Sequence, residues 1–104
     1  MAPEITKNIS EIISTCKEMQ VKSLYVFGSG ARGEDYTGKS DLDFLVTLKK
    51  DSNGLPASGY DYFDLLFALE KITGKKVDLV QEEGIRNRFF LQSVLKDRKK
   101  IYEA

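Results

Sequence analysis

The chain contains no histidine. That removes imidazole-based triads, histidine-ligated zinc and histidine general bases, and leaves carboxylates to carry any acid–base or metal chemistry. There is one cysteine, so no internal disulfide can form and a reducing cytoplasm is the expected compartment. No apolar run exceeds a few residues, far short of the roughly 20 that a membrane span needs. The opening MAPEITKNISEI carries acids and polar residues where a secretion signal needs a continuous apolar core. Net charge is missing too: 16 Lys and Arg balance 16 Asp and Glu, so no overall field draws the protein to nucleic acid or a membrane. What is present, 41% hydrophobic and 31% charged residues in a chain of 104, fits one soluble globular domain over 1–104.

Periodicity gives the elements. Ile5, Ile9, Ile12, Ile13, Cys16 and Met19 recur three or four apart, which predicts a helix over 4–20 with Pro3 in its first turn. Cys16 lies on that apolar stripe and reads as a packed thiol. Ser23 to Phe27 (SLYVF) is aromatic and β-branched and stops at Gly28, the mark of a short buried strand. Asp41 to Leu48 (DLDFLVTL) predicts a second strand, and Lys49 to Gly59 is turn chemistry. Tyr62, Leu65, Leu66, Leu69 and Ile72 predict a helix over 60–73 capped by Gly74. Lys76 to Val80 is a third short strand, 84–97 a last helix with Phe90, Leu91, Val94 and Leu95 facing inward, and Lys99 to Tyr102 a final strand. The expected fold class is therefore α/β (α+β): a single small mixed-sheet domain with helices packed on one sheet face.

The segment Leu24 to Asp43, LYVFGSGARGEDYTGKSDLD, matches two phosphate-binding patterns at once. Gly28, Gly30 and Gly33 spell G-x-G-x-x-G, but that fingerprint needs a full helix after it. The residues after Gly33 show no apolar periodicity, and only about eight separate the loop from the next strand, fewer than the dozen or so of a parallel crossover. Gly33, Gly38, Lys39 and Ser40 spell G-x-x-x-x-G-K-S, which needs a strand before it and a helix at Lys-Ser. Here the strand follows. Neither pattern operates, and Thr37-Gly38-Lys39 reads as a polar turn.

A different set of residues does fit together. Side chains at i and i+2 of a strand share a face, so Asp41 and Asp43 point the same way, roughly 7 Å apart. Leu42, Phe44, Val46 and Leu48 then fill the core-facing side. Asp78 is a lone acid between Val77 and Leu79, and acids inside strands are disfavoured. If its strand lies beside the second, three carboxylates converge, and anions so placed repel unless cations sit between them. Oxygen ligands without nitrogen or sulfur suit Mg²⁺, which completes its shell with phosphate and water. Gly28-Ser29, at a strand end before a tight turn, offers backbone amides and a hydroxyl to a phosphate chain. Together these describe two-metal phosphoryl or nucleotidyl transfer. The competing reading treats Asp41 as a turn acid and the others as charges on an exposed strand face.

Gly28-Ser29 with Arg32-Gly33, then Ser40-Asp41-Leu42-Asp43, then Asp78, resembles the DNA polymerase β-like nucleotidyltransferase superfamily. Chain length and Ala31-Arg32-Gly33 look most like its minimal nucleotidyltransferase (MNT) branch, known from HEPN/MNT toxin–antitoxin pairs. The resemblance spans residues 22–80. It implies that Gly28 and Ser29 hold the triphosphate of a nucleotide, ATP in the related pairs, and that Asp41 and Asp43 ligate two Mg²⁺ ions. It implies that Asp78 ligates the ion that activates an acceptor hydroxyl. Arg32 would pair with a phosphate, with an acidic partner, or in a helix-surface ion pair, and Ser40 would steady a turn. The implied activity is transfer of AMP to a hydroxyl, a tyrosine in the related pairs, on a helical HEPN-like partner.

Larger relatives that modify antibiotics or tRNA carry a further domain for the acceptor, whereas only one helix and a tail follow residue 80 here. The acceptor site is thus expected to be shared with a partner or another subunit, with Tyr36, Tyr60, Tyr62 and Phe63 as contact candidates. The basic cluster Lys96, Arg98, Lys99 and Lys100 reads as a solvated helix end favoured by the helix dipole, not an RNA site. Two alternatives stand beside the enzyme: a catalytically weak module that neutralises a partner by contact, and transfer to an RNA end or small-molecule hydroxyl.

Overall fold

The computed structural model describes all residues, Met1–Ala104. Strands β1 (Val21–Phe27), β2 (Leu42–Leu48), β3 (Val77–Gln81) and β4 (Lys99–Glu103) form a four-stranded sheet in the order β3-β2-β1-β4. β1 runs antiparallel to both β2 and β4, and β2 runs parallel to β3. The 28–41 connection holds only a four-residue helical turn and no full crossover helix, and it returns the chain antiparallel beside β1. The longer 49–76 connection has room for a crossover, and it supplies one through helix α4 (Tyr62–Thr73).

The N-terminal helix expected over 4–20 is two helices, α1 (Pro3–Thr6) and α2 (Ile9–Glu18), parted at Lys7-Asn8. The Asn8 side chain donates to the Glu4 carbonyl at 2.8 Å, satisfying one of the acceptors that the break frees. α4 starts at Asp61, whose side chain accepts from the Asp64 N–H at 2.9 Å while the Asp64 carboxylate accepts from the Asp61 N–H. That reciprocal box fixes the start, and Gly74 at φ 69° ends the helix as expected.

The main core lies on one sheet face. Ile5, Ile12, Cys16, Leu65 and Leu69 from α1, α2 and α4 pack on Leu24, Val26, Leu42, Phe44, Val46 and Leu79 of the sheet, within a cluster of 16 buried residues. Each such side chain contributes on the order of 1.5–3 kcal/mol on burial, so this face carries most of the stability. The opposite face holds only a small cluster of Phe27, Leu45 and Val94, which leaves room there for polar groups.

That small cluster corrects one expectation. Helices α1, α2 and α4 share one face, but α5 (Arg88–Asp97) packs on the other through Val94. Of the four residues expected to face inward, Val94 is buried and Leu91 half-buried, while Phe90 and Leu95 are exposed. A helix laid over one end of a sheet face has room to bury a single row. No helix is long and apolar enough to cross a membrane.

Candidate functional site

β1 delivers the chain to Gly28 at the edge of the second face. Gly28 has φ 69° and ψ −153°, a conformation essentially confined to glycine. Position matters as well: a Cβ there would stand 2.6 Å from Asp43 Oδ2. The next residues form a one-turn helix, α3 (Ser29–Arg32), which neither glycine pattern foretold. Its Gly30 is closely packed, since a Cβ would meet Leu42 Cδ2 at 3.1 Å and that side chain would have to give, and its carbonyl accepts the Ala2 N–H at 2.7 Å. The first N–H groups of a helical turn lack intrahelical acceptors, so the Gly28–Ser29 turn presents donors beside a carboxylate.

Asp43 lies on the second face with Leu45, opposite Phe27 of β1 and opposite Asp78 of β3. Strands pair at roughly 4.8 Å, so the two carboxylates rise side by side from neighbouring backbones. Asp43 is half-buried, and Asp41, just before β2, and Asp78 are exposed. Burial pushes the Asp43 carboxyl above its ordinary range, the Asp78 and Asp41 charges add to the rise, and Arg32 partly offsets it. None of the three acids is in an ion pair with lysine or arginine.

The structure thus brings Asp43 and Asp78 into register with Asp41 near enough to act on Asp43 electrostatically. It does not close them into a cage: no group of three or more His, Cys, Asp or Glu side chains stands ready to hold an ion. The donor set still suits a hard divalent cation. It is oxygen-only, under-compensated in positive charge, and faces solvent from which water or phosphate can complete a shell. Residues Asp41, Asp43 and Asp78 would hold such an ion. The two surface cavities, about 320 and 400 Å³, lie elsewhere, around Tyr25 and Arg98 and around Leu55 and Tyr60. Clustered acids beside a glycine turn outweigh cavity size as evidence of chemistry, and they sit on open sheet surface.

Arg32 Nη1 donates to Asp97 Oδ2 at 2.6 Å and Nη2 donates to Asp35 Oδ2 at 2.7 Å; an acidic partner is what it meets here. Ser40 Oγ accepts the Thr37 N–H at 3.0 Å and so steadies the turn before β2. Of the contact candidates, Tyr36 donates to Glu4 Oε1 at 2.9 Å, and burial, with that bond, pushes its hydroxyl up to about 12. Tyr62 donates to the Leu79 carbonyl on β3, and burial followed by the Asp78 charge raises it. Tyr60 and Phe63 are exposed, as are Phe67 and Phe89, which periodicity did not single out. In the basic cluster Arg98 lies over the Tyr25 ring at 4.1 Å and donates to Glu82 at 3.2 Å, Lys100 donates to Glu103 at 3.5 Å, and Lys96 and Lys99 are exposed.

The four-stranded mixed sheet is that of a nucleotidyltransferase-like fold. The family model of the nucleotidyltransferase domain matches residues 9–101, and the chain belongs to that family. A protein of Methanocaldococcus jannaschii provisionally named a protein adenylyltransferase is 39% identical, the match covering 86% of this chain and 90% of that protein. A second protein of the same organism and provisional name is 37% identical over 78% of this chain and 76% of its own length. Among solved structures, one described as a minimal nucleotidyltransferase superposes with TM-score 0.71 at 31% identity, covering 95% of both chains. A chain from a toxin–antitoxin complex with AMP-PNP gives TM-score 0.66 at 22% identity, covering 93% of this chain and 74% of its own. A chain from the complex of a tri-AMPylated Shewanella oneidensis HEPN toxin with its MNT antitoxin gives 0.60 at 21%, covering 95% and 72%. These last two share the fold.

Proposed function

We propose that this nucleotidyltransferase transfers AMP from ATP, with Mg²⁺, to a hydroxyl of a helical HEPN-type partner and acts as the antitoxin of that pair. The observation that carries the reading is the register of Asp43 with Asp78 on one face, beside a Gly28 whose missing Cβ leaves room for Asp43 Oδ2. The provisional naming of the relatives and the HEPN complexes among the structural neighbours support the choice of acceptor.

In this reading Gly28 and Ser29 bind the triphosphate through backbone N–H groups and the Ser29 hydroxyl, orienting the α-phosphorus toward the acids. Bound Mg²⁺ would neutralise phosphate charge and acidify the acceptor hydroxyl. Asp41 and Asp43 orient the nucleotide's phosphates through that charge, and Asp78 accepts the acceptor's proton. The acceptor oxygen forms its bond to the α-phosphorus as the α–β bridging bond breaks, and pyrophosphate leaves with its electron pair. Asp41 and Asp78 are exposed beside half-buried Asp43, so a second protein can present its hydroxyl there.

The test is incubation with ATP labelled at the α-phosphate, Mg²⁺ and the protein encoded by the adjacent gene, with a HEPN-type protein as a second candidate acceptor. Label on either protein, lost in Asp43→Asn, is the expected result. Failure to label any protein with metal and partner varied would overturn the reading. One observation favours the contact-only alternative: the acids are not closed into a cage. Toxin neutralisation that survives in Asp43→Asn would establish it.

A further inference from the structure

The guanidinium of Arg32 is engaged on three sides. Beside the Asp97 bond at 2.6 Å and the Asp35 bond at 2.7 Å, its Nε donates to Asp35 Oδ1 at 3.4 Å. Two carboxylates therefore face one positive charge, and a phosphate arriving at Arg32 would meet a cation already matched. Resting on the nucleotidyl-transfer reading above, we propose that Asp97 is a positioning residue. From the end of α5 it holds Arg32, and through Arg32 the α3 turn, in the arrangement that receives the nucleotide's phosphates.

Three features support this. First, α3 is four residues long with no side-chain bond at its N-cap, and a single turn is not self-supporting. Its inner side is held by buried Gly30 and Ala31 and by the Ala2 bond to Gly30; Arg32 is its tie on the outer side. Second, Asp97 is itself well fixed. α5 ends there, Arg98 stacks on Tyr25 and bonds Glu82, and Lys99 pairs with Val26 of β1. Gly28 leaves the same strand two residues after Val26, so both partners of the ion pair hang from one stretch of sheet. Third, the Arg32 and Asp97 side chains are 43% and 26% exposed. Ion pairs of that exposure add little to global stability, while an arginine fork is geometrically specific. The pair is better suited to placing a turn than to holding the fold.

Calorimetric titration with Mg²⁺ and an ATP analogue that cannot release pyrophosphate tests this on the full chain. Asp97→Asn is expected to weaken binding by about tenfold, a change of about 1.4 kcal/mol, with Tm nearly unchanged and kcat at saturating ATP retained. Asp97→Glu, which keeps a carboxylate for the Arg32 fork, retains most of the affinity. If Arg32 instead grips phosphate directly, Asp97→Asn frees it and binding tightens; that result overturns the proposal. Unchanged affinity in Asp97→Asn overturns it equally. No binding by the wild type would instead defeat the nucleotidyl-transfer reading, and this inference with it.

Discussion

Replacing Gly28 by alanine would place a methyl carbon 2.6 Å from Asp43 Oδ2, at a residue with φ 69° and ψ −153°. Two costs follow. The backbone conformation is worth about 1–3 kcal/mol of strain for a residue with a side chain. Relieving the contact adds about 1–3 kcal/mol of overpacking, because Asp43 is half-buried on a strand whose other face is core. At roughly 4–8 °C per kcal/mol for a domain of about this size, Gly28→Ala should lower Tm by about 10 °C or more in a calorimetric scan. A double-mutant cycle separates the two costs. In an Asp43→Ala background the carboxylate is gone and only the backbone strain remains, so the penalty shrinks by about 1–3 kcal/mol. In an Asp43→Asn background the amide fills the same space, and the penalty persists. Equal penalties in the alanine and asparagine backgrounds, or a wild-type Tm in Gly28→Ala, would refute the close approach of turn and carboxylate on which the site depends.

Because the folded-state Asp43 carboxyl is raised from its ordinary 3.8, the native state holds the proton longer. Stability therefore falls as pH rises from that value through the raised one. Asp43→Asn should melt above wild type at pH 7 in chelator and match it near pH 3, and Mg²⁺ should stabilise wild type alone, by about 2.7 kcal/mol at a hundred times Kd, seen as a rise in Tm. Cys16 is fully buried and its thiol pushed up to about 12 by that burial, so a thiol reagent should modify it only on unfolding. Cys16→Ser, which puts a hydroxyl among apolar neighbours, should cost about 1–3 kcal/mol by urea titration. Phe44→Ala empties the centre of the main core and should cost about 3–5 kcal/mol by the same measurement. Asp61→Ala breaks the box that starts α4 and should cost about 0.5–2 kcal/mol.

Local chemistry made much of the molecule readable in advance. A strand that stops at Gly28, a helix that stops at Gly74, and Asp43 on the face of β2 away from the Leu42–Phe44 core all follow from periods of 2 and 3.6 and from glycine's freedom at positive φ. Arg32 and Asp35, three residues apart, are likewise within reach of a reader of sequence. The same arithmetic failed at α5, whose apolar residues outnumber the places available on the face it covers, so that Phe90 and Leu95 are left exposed. It also passed over α3, because one turn of helix leaves no periodic trace.

What the chain determined by itself is which residues carry charge on a strand face and where β1 and α4 stop, since those depend on neighbours a few positions away. Only the tertiary structure decided that β3 lies parallel against β2 with Asp78 beside Asp43, that α5 crosses to the far face, and that Asp97 reaches Arg32 from 65 residues along the chain. A strand's edges can accept any partner of suitable pattern, and the choice among them is made by burying the whole apolar face at once. That choice is a property of the assembled core, and no window of the sequence contains it.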